Sequence, residues 1–309
     1  MGMLIDGKWD DHADRSMVSG TYRREQSALP TSIQPEVLRH LLEERGRFFL
    51  IASASCPWSH GAVIALVLSK MTDAVQIQWA GGPRREGYGL LPGGPLPDRA
   101  QFTHVHQFYT STVSDYTGRS TVPILWDAKQ RKILSNSSSD IMRAFDAVSP
   151  SIALRPEEFG DEIDVLTQHI FDGLSNAVYR AGKSQRQGDY DAAVDLVFHT
   201  LDELETRLDG RTFLFGNNLT LADVRLFATL VRFDTVYATH FRCTRRRLVD
   251  YPHLWRFTRQ VVQLPGIRET VDFEEIRFGY YVNDGTHNPC GIIAQQPDID
   301  WESREGISE

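Results

Sequence analysis

The chain has 309 residues, 41% hydrophobic and 24% charged, a balance that fits a globular protein of about two domains and excludes a disordered or fibrous one. A formal net charge of -8 argues against nucleic acid as a partner, since such surfaces neutralise phosphates with clustered Lys and Arg. No window approaches the ~18 apolar residues of a membrane span, and the opening MGMLIDGKWDDHADR lacks the apolar stretch of a secretory leader, so a cytoplasmic protein with no membrane partner is expected. Cys56, Cys243 and Cys290 are odd in number and scattered, which predicts reduced thiols, and no CxxC pair or His/Cys cluster at zinc spacing is present, which predicts no metal.

Residues 1–45 are polar and mixed, with a short helical stretch at 35–44, and read as an extension laid over a domain. A strand is predicted at 47–53 (RFFLIAS), followed by a helical run at 60–71 and a second strand at 75–79. Between residues 80 and 98, ten of nineteen positions are Gly or Pro, which predicts a long irregular segment of the functional or mobile kind. A β-hairpin is predicted over 121–127 and 132–135, and the polar run SSSD at 137–140 predicts a helix from Ile141. From 157 to 271 helical patterns follow one another. TLAD at 220–223 has the form of a capping box and predicts a helix over 221–233. The run Arg245–Arg247 is too short for phosphate binding and reads as a solvated helix end or a partner for carboxylates. After Asp272 the tail reads as aromatic and irregular. The order is a βαβ unit, a ββα unit and then a helix bundle.

That order places Cys56, in ASASCPWSH, between the first strand and the first helix. Unpaired N–H groups and the positive end of the helix dipole stabilise an anion there, and a thiolate is such an anion. Pro57 suits the first helical turn. Ser59 stands where a dithiol motif has its second cysteine, so a disulfide formed on Cys56 has to be resolved by a thiol from solution. On spacing alone, Cys56 is either that monothiol nucleophile or a buried small residue at a helix start.

The segments SASCPWSH, DYTGRSTVPILWD, ILSNSSSDIMRAF, NAVYRAGKS, LTLADVRLFATLVRFDTVYATHFRC, DYPHLWRFTRQVVQLPGI and IRFGYYVNDGTHNPCGI, spread from Leu4 to about Ile293, resemble the glutathionyl-hydroquinone reductases, the Xi class of glutathione transferases. The resemblance implies an extension (1–45), a thioredoxin-like domain (46–150), a helical glutathione-transferase domain (151–272) and a tail (273–309) packing near the active site. It implies that Cys56 removes glutathione from a glutathionyl-hydroquinone through a mixed disulfide resolved by a second thiol. Tyr179 and the pair Tyr280 and Tyr281 would hold and protonate the ring. Glutathione contacts fall on Trp58, Tyr88, Arg119, Val122, Pro123, Ser137 and Ser138, with a cis proline at 123 and a helix N-terminus for the γ-glutamyl carboxylate. The resemblance implies a homodimer, a glutathione cosubstrate and no metal.

Several positions depart from the family pattern. Ser137 replaces a Glu that pairs with the γ-glutamyl ammonium, Gly61 an Arg, and Tyr88 a Trp; Gly279 replaces a His before the tyrosine pair, and Asn283-Asp284 a Ser-His. Asp140, one turn along, is a partial substitute for the lost acid. These changes leave open another low-molecular-weight thiol as donor, or an acceptor other than a simple hydroquinone. The alternatives are a transferase or ether-cleaving lyase acting on an aromatic substrate, and a non-enzymatic ligand-binding relative.

Overall fold

The computed structural model describes residues 2–13, 17–18, 21–22, 29, 33–97, 101–149, 151–296, 298–301 and 303. Parts of the expected extension (14–16, 19–20, 23–28, 30–32) and the end of the tail (304–309) lie outside the described residues. In chain order the elements are β1 (Met3–Ile5), β2 (Lys8–Asp10), β3 (Met17–Val18), β4 (Thr21–Tyr22), α1 (Pro35–Glu43), β5 (Phe48–Ala52), α2 (Pro57–Leu68), β6 (Val75–Gly81), β7 (Gly89–Leu90), α3 (His106–Thr112), β8 (Ile124–Asp127), β9 (Lys132–Ser135) and α4 (Ser138–Ala147). Then follow α5 (Gly160–Ile170), α6 (Ala177–Lys183), α7 (Gln187–Arg207), α8 (Leu221–Leu230), α9 (Pro252–Val262) and α10 (Phe273–Tyr281).

Two compact units result. The first comprises Met1–Arg15, Glu25–Ala153 and Glu274–Gly291; the second comprises Ser16–Arg24, Leu154–Phe273 and Ile292–Glu309. The first unit is built on a five-stranded sheet of order β7-β6-β5-β8-β9, with β5 parallel to β6 and antiparallel to β8. All five residues of β5 are buried, which is why FFLIA reads as an unbroken apolar run and not an alternating one. α2 is buried along most of its length and packs on β5 and α4. At the far end of β5 from Cys56, Arg47 makes a bidentate pair with Asp127 (2.6 and 3.0 Å), both side chains buried.

The N-terminal hairpin is joined to this unit by backbone: Leu4 and Gly118 exchange two hydrogen bonds of 2.9 Å, and Gly7 N–H donates to Tyr116 O at 3.0 Å. The second unit is helical. α6 packs on α7 and α5 on α8, and α8 begins with the expected capping box, Thr220 with Asp223. The three arginines at 245–247 each pair with a carboxylate, Asp195, Asp202 and Asp250 respectively.

Several local expectations are corrected. α2 and α4 each start three residues early, at Pro57 and Ser138, because Cys56 and Ser137 are themselves the caps. α8 stops at Leu230, and a π-helical turn follows at Phe233–Tyr237. The Gly/Pro-rich segment contains a strand, β7, paired with Ala80 and Gly81. α3 is a seven-residue helix too short to show a period. The tail carries α10, whose aromatic residues at 278, 280 and 281 blur its pattern, while Ile276, Gly279 and Tyr281 are buried.

Candidate active site

Cys56 leaves β5 in extended conformation and caps α2. Its Sγ accepts from Ser59 N–H at 3.5 Å and lies 3.5 Å from the Val122 carbonyl oxygen, to which the thiol donates. Val122-Pro123 is a cis peptide, so the chain turns there and presents the Val122 backbone at the sulfur. The Ser59 hydroxyl is buried and has no hydrogen-bond partner among the described residues. No second thiol stands at that position. Of the other cysteines, Cys290 is exposed, and Cys243 is buried in the helical unit, its pKa pushed up to about 12 by desolvation.

The edge beside Cys56 is organised by one side chain that sequence reading missed. The Tyr109 hydroxyl donates to Thr121 O (2.9 Å) and accepts from Thr121 N–H (3.1 Å) and from Asn136 Nδ2 (3.1 Å). It thereby ties the segment entering the cis proline to the turn ahead of α4. There, Ser137 caps α4 by accepting from Asp140 N–H at 3.3 Å, and Ser138 is its buried first residue. Asp140 sits 3.7 Å from Arg143 Nη1. Arg119 is half-buried in the stretch between Gly118 and Thr121, and Trp58 is buried in the first turn of α2.

A second set of residues comes from the loop after β6 and from the tail. Arg84 Nη2 donates to Ser55 Oγ (3.0 Å), one residue before Cys56, and its guanidinium lies 4.1 Å over the Tyr88 ring. Asn283 holds this loop: its Oδ1 accepts from Arg84 N–H at 2.7 Å, and its Nδ2 donates to Gly82 O and Gly279 O, both at 3.3 Å. α10 lies so close to the strand end that a Cβ on Gly279 would stand 2.3 Å from Ser55 Cβ, so no larger residue fits. Tyr281 is buried and Tyr280 half-buried on the same helix. Ser55, Arg84 and Asn283 are 29 and 199 residues apart along their two bonds, which leaves no local signal to find.

Tyr179 belongs to the second unit, after a π-helical turn at Phe171–Ser175, and sits edge-on to Phe241 (5.2 Å between centroids) and tilted to Tyr237 (6.1 Å). It is therefore part of an aromatic cluster as well as a candidate ring-holder.

A cysteine at the mouth of α2, a cis proline facing it and a helical second unit together define a class, the glutathione transferases built on a thioredoxin-like sheet. The sequence agrees: residues 55–148 match the family described as glutathione S-transferase, N-terminal domain, and residues 187–260 its C-terminal domain. The glutathionyl-hydroquinone reductase YqjG of Escherichia coli is 36% identical, covering 99% of this chain and 98% of its own. Its glutathione-bound structure superposes with a TM-score of 0.84. PcpF of Sphingobium chlorophenolicum, another glutathionyl-hydroquinone reductase, is 35% identical over 96% of each chain. A Xi class transferase structure from Natrialba magadii is 33% identical with a TM-score of 0.90, covering 98% of this chain and 96% of that one. The chain belongs to the glutathionyl-hydroquinone reductases, the Xi class of glutathione transferases. No helix among the described residues is long and apolar enough to cross a membrane.

Proposed function

We propose that this protein removes glutathione from glutathionyl-hydroquinones by monothiol exchange at Cys56. The observation that carries the reading is the placement of Cys56 Sγ at the start of α2, accepting from Ser59 N–H and set against the Val122 carbonyl, with a serine where a resolving cysteine would stand. The Cys56 thiolate attacks the thioether sulfur of the conjugate. The carbon–sulfur bond breaks, the aromatic carbon takes the electron pair and a proton, and glutathione remains on Cys56 as a mixed disulfide. The thiolate of a second glutathione attacks that disulfide, releasing oxidised glutathione and the Cys56 thiolate. The proton taken up by the ring equals the one lost by the second thiol.

The cysteinyl part of glutathione would run along the Val122 edge, and its γ-glutamyl carboxylate would meet the N-terminus of α4 at Ser137 and Ser138, as in β-addition to a strand edge. Trp58, Tyr88 and Arg119 complete the glutathione contacts. Ser137 spends its hydroxyl on the cap and Asp140 faces Arg143, so the γ-glutamyl ammonium meets less charge than a Glu at 137 would give, and a different low-molecular-weight thiol can serve as donor. The acceptor ring and its protonation are assigned to Tyr179, Tyr280 and Tyr281. A cytoplasmic homodimer completes the reading.

Incubation with a glutathionylated quinol should give one glutathionyl group on Cys56 by intact-mass spectrometry, removed by added thiol, with oxidised glutathione as product. Cys56→Ser should abolish both adduct and turnover, a loss of at least about a hundredfold. Turnover that survives Cys56→Ser would point to a transferase or lyase using the fold differently, and the absence of both adduct and turnover to a ligand-binding relative.

A further inference from the structure

We propose that Glu86, His104 and His106 form a site for one divalent cation of the zinc type, fastening the Gly/Pro-rich segment after β6 to the start of α3. Each residue offers one ligand atom, and the three atoms lie within 4.8 Å of one another. Two imidazoles and one carboxylate are a recurrent zinc donor set, with water in the fourth position. Linear spacing gives no sign of this set: Glu86 stands eighteen positions before His104 in the chain, and the fold brings them together.

The backbone holds the two sides in register. Val105 N–H donates to Tyr88 O and Leu90 N–H to Thr103 O, both at 2.8 Å, so the segment 103–105 runs antiparallel beside 88–90. The rings of His104 and His106 stack at 5.6 Å, and Trp9 stacks on His106 at 5.2 Å. His106 Nε2 is buried, has no hydrogen-bond partner among the described residues, and lies 3.6 Å from Glu86 Oε2, too long for a hydrogen bond. A cation between this nitrogen and the carboxylate, which already stand at ion-pair distance, would take a lone pair from each.

His104 is set up in the same sense. Thr103 Oγ1 lies 3.0 Å from His104 Nδ1, so ligation of a cation through Nε2 would have Nδ1–H donate to that hydroxyl. This is how an outer partner fixes the tautomer of a ligating histidine. Bringing three donors to within ~2.0–2.2 Å of one ion requires them to close to about 3.5 Å apart, and Glu86, whose side chain is 56% exposed, is free to swing in.

The test uses the full-length, untagged protein with Co2+ as a spectroscopic probe and Zn2+ as competitor. One equivalent of Co2+ should bind at micromolar concentration, with visible ligand-field bands and no near-ultraviolet thiolate charge transfer, and Zn2+ should bleach the bands and raise the melting temperature. His104→Ala combined with His106→Ala should lose the bands. Glu86→Gln, an exposed change that cannot compromise folding, should weaken binding by at least about tenfold. The proposal is overturned by no stoichiometric uptake, by a thiolate band that places the ion on a cysteine, or by uptake unchanged in Glu86→Gln and in the double histidine variant.

Discussion

The two sides of the Cys56 neighbourhood are built in different ways. The edge from Thr121 to Ser138 is made by backbone: a cis proline, a capped helix start and one tyrosine hydroxyl that pins both. The loop and tail side is made by side chains, with Arg84 on Ser55, Asn283 on Arg84, and Gly279 against Ser55. Backbone-built recognition tolerates sequence change, since any residue supplies N–H and C=O groups. Side-chain-built recognition does not. Two of these contacts belong together: an α10 that approaches closely enough for Asn283 to hold Arg84 leaves no room for a side chain at 279.

Four changes break or sharpen that contrast. The largest lies in the helical unit, which is a control because its key group is fixed by a cap. Asp223 is fully buried, and desolvation raises its pKa from 3.8 to about 6 despite donors from Thr220 and Leu214. The folded state therefore holds this proton more tightly than the unfolded chain does. The associated stability is complete below pH ~4 and lost as pH rises through ~6, by an amount on the order of 2–3 kcal/mol. Chemical denaturation of the wild type against Asp223→Asn across pH 4 to 7 should show that fall only in the wild type.

On the loop and tail side, Gly279→Ala should destabilise by about 1–3 kcal/mol through overpacking against Ser55. It should also lower turnover by shifting the strand end next to Cys56; an alanine accommodated at no cost in a urea melt would show that α10 is not fixed there. On the backbone side, Tyr109→Phe leaves Thr121 N–H and C=O without their partner and should cost about 1–2 kcal/mol. Its signature is a rise in KM for glutathione with kcat little changed, because the lost bonds position the edge and not the sulfur. The smallest effect is Ser137→Glu, which restores a partner for an ammonium and should lower KM for glutathione severalfold at a cap cost of about 1 kcal/mol. An unchanged KM would mean that the donor's amino group is read elsewhere.

Much of this was legible in the chain. The apolar run at 48–52, the Ser and Pro after it, and the capping residues at 137 and 220 report local conformation, and local conformation follows from side-chain size and hydrogen-bonding capacity over a few residues. The same reasoning located Cys56 at a helix start. It failed for α3, β7 and α10, elements of seven, two and nine residues whose conformation is fixed by partners far along the chain. Tyr109 was missed with α3 for that reason.

The sequence by itself determined the thiol, its cap, and the pairing of a sheet with a helical unit, because each is encoded by neighbours in the chain or by a period of burial. Only the tertiary structure decided that Arg84 stands on Ser55, that Gly279 must lack a side chain, and that Glu86 meets His104 and His106. Those are contacts between segments whose separation no periodicity records, and their energies exist only once the backbone has brought the side chains within a few ångströms.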